Sequence, residues 1–186
     1  MQKLAFEALQ EMRVKARWEA LDKESIQIAY AKACGKIYHA PTFENGDSRK
    51  QLLARSIYLL YKKESLWTES QRIRAGILFR EYPDLKKAYY LSMRLGLIYH
   101  QCKHKDTALT RLARWYDEVE KSGFLAFGRV IRSIQTHYLE IVNFFDRRST
   151  NAASESFNAK IKDFRTQFRG VKDRTFFLFR LTKIYA

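Results

Sequence analysis

Cysteine is scarce in this chain: Cys34 and Cys102 lie far apart and form no Cys-x-x-Cys pair. That spacing favours reduced structural thiols over a disulfide framework. No apolar run approaches the roughly 18 residues that a membrane span needs. No basic-then-apolar leader opens the sequence either, since Glu7 and Glu11 come early, and a cytoplasmic protein is expected. Apolar and polar residues nowhere alternate over a length useful for a strand, and neither a tandem repeat nor a low-complexity run is present. Acids are also in short supply, 20 Asp and Glu against 35 Lys and Arg, which gives a formal net charge of +15 and a pI near 9.9. Because 46% of residues are hydrophobic and 15% aromatic, this charge must sit on a folded surface. A polyanion partner follows, with DNA favoured over anionic lipid.

What is present is helix-forming sequence cut by a few breaks. The 186 residues are enough for one good core or two small lobes. Residues 3–33 contain no Gly or Pro and predict one long helix, with Trp18, Leu21, Ser25, Ile28 and Ala29 as its core stripe. Gly35, Pro41 and Asn45-Gly46 then predict the longest loop. Ser48 with Gln51 and Thr68 with Gln71 read as capping boxes. The first opens a helix to about Glu64 with Leu52, Leu53, Ile57, Leu60 and Tyr61 inward. The second opens a helix with Ile73, Ile77 and Leu78 inward, ended by Pro83. Leu85, Ala88, Tyr89, Ser92, Leu95 and Tyr99 keep one face of the next helix, to about Lys103. Asp106 or Thr107 can cap a further helix that Gly123 closes, with Leu109, Leu112, Ala113, Tyr116 and Val119 packed. A single helix is expected over 124–145 on Phe127, Ile131, Ile134, Tyr138, Ile141 and Phe145. His100, Cys102 and His104 do not read as a metal site, because a two-residue step on a helix turns Cys102 away from both histidines.

The last 40 residues are chemically distinct. From Arg147 onward ten Lys or Arg accompany three acids. Asn151 or Thr150 can cap a helix that Gly170 closes, with Phe157, Ile161, Phe164 and Phe168 as its apolar stripe. Glu155, Asn158 and Lys162 share the other side, and Asn151 extends the row. A carboxylate among so many cations can be read in two ways. It can complement the helix dipole and pair with Lys162, or it can hold a divalent metal beside a phosphate backbone that the basic residues attract. After Gly170, Asp173 can cap a last helix carrying Phe176, Phe177, Leu181, Ile184 and Tyr185.

The run Glu155-Ser156-Phe157-Asn158-Ala159-Lys160-Ile161-Lys162, followed by Phe168-Arg169-Gly170 and an aromatic helix, resembles the C-terminal catalytic segment of bacterial insertion-sequence transposases of the ISL-three group. Members usually show Glu-Gly-x-Asn-x-Lys-Ile-Lys there, so Ser156 departs from the pattern and Glu155 keeps it. Trp67-Thr68-x-x-Gln71 and Tyr82-Pro83-x-Leu85 look like the family's helical insertion, and Gln2-Lys3-Leu4-Ala5 looks like the helix after its second catalytic aspartate. The resemblance therefore spans nearly the whole chain. It implies the later part of an RNase H-like enzyme with an Asp-Asp-Glu triad, in which Mg2+ serves DNA strand cleavage and transfer and Glu155 is the third ligand. Both aspartates would lie upstream of Met1, together with most of the catalytic sheet.

The expectation is thus an all-α, multi-helix bundle: a helical region over 1–146 and a Glu-bearing segment over 147–186. Glu155 is the catalytic and metal-ligand candidate. Arg147, Arg148, Asn151, Asn158, Lys160, Lys162, Arg165 and Arg169 are the DNA-binding candidates. The resemblance implies Mg2+ for the full-length enzyme and none for the fragment, which would be inactive by itself. A non-catalytic helical DNA-binding or interaction module is the alternative, and homo-oligomerisation is left open.

Overall fold

The computed structural model describes residues 1–146; residues 147–186 lie outside the description. The chain divides into two compact units, Met1–Ile141 and Val142–Ala186. Among the described residues there are seven α-helices and no strand. These are α1 (Gln2–Ala33), α2 (Arg49–Arg55), α3 (Glu69–Glu81), α4 (Pro83–Gln101), α5 (Lys105–Ser122), α6 (Gly128–Thr136) and α7 (Tyr138–Asp146). Short 3-10 turns cover Leu59–Tyr61, Glu64–Leu66 and Leu125–Phe127. The described residues are all-α, as the periodicity predicts.

Helix α4 is the centre of the first unit, with α1, α3 and α5 packed around it. It buries Leu85, Ala88, Tyr89, Leu91, Ser92, Leu95, Gly96 and Ile98, which turns most of its circumference inward. Its partner α1 offers Ala5, Ala8 and Leu9, so two rows of small side chains let the backbones approach closely. The Ser92 hydroxyl registers the pair, lying 3.0 Å from both the Ala5 and the Ala88 carbonyl oxygens. On the opposite side, the fully buried Trp115 of α5 donates its indole N–H to the Leu91 carbonyl at 2.8 Å. Buried polar groups of this kind stabilise only if paired, and these are.

Local chemistry places most boundaries where the sequence puts them. At α3, Gln71 N–H donates to Thr68 Oγ1 at 3.3 Å while Thr68 N–H donates to Gln71 Oε1 at 3.2 Å. At α2 the Gln51 side chain accepts from Ser48 N–H at 2.9 Å. Pro83 is the first residue of α4, where its missing N–H costs nothing. Gly123 closes α5 in the left-handed region, at φ 68°. The cap of α5 falls on His104 rather than Asp106 or Thr107, and Asp106 sits in the first turn, where the dipole favours it.

Three expectations are corrected. The helix predicted from Ser48 to about Glu64 ends at Arg55 and continues as two 3-10 turns. Distant side chains take the carbonyls that a continuing helix would use: Trp67 Nε1–H donates to Leu59 O and Tyr89 O–H to Lys62 O, both at 2.8 Å. The helix predicted over 124–145 is a 3-10 turn, α6 and α7, interrupted at His137, and no side-chain contact among the described residues explains that break. The third correction concerns α1. Trp18 is 62% and Ile28 46% exposed, and the buried face is Ala5, Ala8, Leu9, Arg13 and Ala20 instead. Tyr61, Ile73, Ala113 and Tyr138, also expected inside, are exposed.

Candidate nucleic-acid interface

Every residue that the sequence singles out for chemistry or DNA contact lies outside the described residues. These are Glu155, Arg147, Arg148, Asn151, Asn158, Lys160, Lys162, Arg165 and Arg169. What the structure tests is whether the helical body supplies a second chemical centre or a scaffold.

The family-like motifs of the body are structural. Trp67 stacks in a tilted cluster with Phe79 and Tyr89, at ring-centroid distances of 6.1 and 5.6 Å, and seals the irregular segment between α2 and α3. Burial raises the Tyr89 phenol well above its ordinary range, and the Glu64 charge adds to this. It therefore stays a neutral hydrogen-bond donor to Lys62 O at any physiological pH. Tyr82, at the turn between α3 and α4, has Arg49 over its ring at 5.8 Å, and Arg49 also pairs with Glu81 at 2.9 Å. Trp67 and Tyr82 each hold two elements together.

The polar centre of the body is Asp47, whose side chain is completely buried. It accepts from Arg74 Nε at 2.8 Å, from Asn45 Nδ2 at 2.8 Å and from Arg55 Nη1. Burial by itself would raise this carboxyl. The hydrogen bonds and charges of Arg74 and Arg55 outweigh that and hold it below the usual carboxylate range. Sequence reading sees here only the Asn45-Gly46 break. The missed signal is an acid directly before a cap residue, followed by arginines on two different helices.

This carboxylate is saturated by cations and offers no seat for a metal. Among the described residues no group of three or more Asp, Glu, His or Cys converges. Cys102 is buried at the end of α4, whereas His100 and His104 are exposed. The described residues thus do not fit a divalent ion, and no chemical step is derived through one. No described helix is long and apolar enough to cross a membrane.

Most arginines of the body are engaged with acids. Arg80 pairs with Glu44 at 2.9 Å and Arg129 with Glu11 at 2.7 Å, and Arg94 holds Glu118. Of the 35 basic and 20 acidic residues, 25 and 17 lie in 1–146, which leaves ten and three for the last 40 positions. The body is a helical scaffold with modest positive charge, and the dense charge follows it in sequence.

The chain belongs to the DDE transposase family of the ISL-three group: the family's sequence profile, described as a transposase, matches residues 1–181. Neither a curated protein nor a solved structure gives a match.

Proposed function

We propose that this chain is the later part of a DDE transposase of an insertion sequence, acting in DNA transposition. In that reading the helical body is the insertion domain, and residues 147–186 supply Glu155 as the third carboxylate ligand. Two aspartates upstream of Met1 would complete the triad, and the divalent ions held by it would activate the attacking oxygen and neutralise the leaving one. Family membership across residues 1–181 is the observation that carries the proposal. Among the described residues the one buried acid, Asp47, is held between Arg55 and Arg74 and is thus engaged by the fold.

The role assigned to the tail is electrostatic as well as catalytic. Arg147, Arg148, Lys160, Lys162, Arg165 and Arg169 would contact phosphates, with Asn151 and Asn158 beside them on the Glu155 face. By itself the 186-residue chain binds DNA without cutting it. A supercoiled plasmid incubated with pure protein and Mg2+ should remain intact over hours. Reproducible Mg2+-dependent nicking that Glu155→Gln abolishes would show instead that these residues make up a complete active site.

A further inference from the structure

We draw no further inference here: the strongest candidate, the aromatic cleft between the first turns of α1, the irregular segment after α2 and helix α4, walled by Phe6, Tyr61, Tyr90 and Leu97 and rimmed by Lys62 and Lys63, opens beside the residues that directly follow Met1, and nothing in the structure shows what covers it.

Discussion

Asp47 shows how one buried charge organises a loop. The segment after α1 returns through an isolated antiparallel bridge between Thr42 and Ser48, and Asp47 ties it to α2 through Arg55 and to α3 through Arg74. Replacing it by Asn leaves two arginines aimed at a neutral amide. Asp47→Asn should therefore destabilise the fold by about 2–4 kcal/mol at pH 7, somewhat less than a fully buried pair because Arg55 is half exposed. The pH dependence has a definite sign. The folded carboxyl titrates below its unfolded value of about 3.9, so its contribution is full above that value and is lost as pH falls through the lower, folded one. Urea unfolding at pH 7 and again near pH 3 should show the gap between parent and variant narrowing in acid. A gap that is constant with pH would mean that the carboxylate charge is not what holds the loop.

At the scale of elements, glycine separates two kinds of position. Gly123 ends α5 at φ 68°, a conformation that costs an L-residue about 1–2 kcal/mol, so Gly123→Ala should lower stability by roughly that much. Gly96 lies inside α4 with ordinary helical backbone. A Cβ there would come within 2.5 Å of Gln2 Nε2, the free end of a flexible side chain that can swing aside. Gly96→Ala should thus be neutral or stabilising by up to about 1 kcal/mol, since helical propensity favours Ala. Thermal melts of the two variants should shift in opposite directions or differ by several degrees; equal losses would show that the α1–α4 contact is too tight for any added atom. The same contrast explains what the sequence revealed. Caps, Pro83 and Gly123 act within a few residues, so Thr68-x-x-Gln71 announces α3 without further context. The inward face of α4 is equally legible, since its apolar residues outnumber one stripe. For α1, periodicity shows which residues share a face and leaves open which face is covered. The covered one is marked by Ala5 and Ala8, because closeness to α4 selects small side chains. The breaks after Arg55 were hidden because Trp67 and Tyr89, which take the freed carbonyls, stand well downstream. Glu155 and its basic neighbours are visible in the sequence only through motif likeness and charge density.

For the whole molecule, charge is unevenly distributed along the chain, and this leads to a prediction about where DNA binds. The body has an excess of eight positive charges over 146 residues and the last 40 residues an excess of seven, about a threefold difference in density. Body arginines such as Arg49, Arg74, Arg80 and Arg129 also spend their hydrogen bonds on acids. Exposed body cations such as Arg111, Arg114 and Arg132 are more widely spaced along the chain. If the tail engages about five phosphates, log K for nonspecific duplex should fall with log salt at a slope of about −4 to −5, because each neutralised phosphate releases condensed counterion. Replacing Arg147, Arg148, Lys160, Lys162, Arg165 and Arg169 by Gln should reduce that slope to about −1 and nearly abolish binding at 0.15 M salt. Replacing Arg111, Arg114 and Arg132 should change it by less than about one. Glu155→Lys should tighten binding slightly, since without a bridging metal the carboxylate repels phosphate. Fluorescence anisotropy titrations on one labelled duplex at four salt concentrations provide all of these slopes. If the body triple variant collapses the slope while the tail variant keeps it, the nucleic acid sits on the helical scaffold, and the basic tail sequence serves the chemistry of the full-length enzyme rather than its grip on DNA.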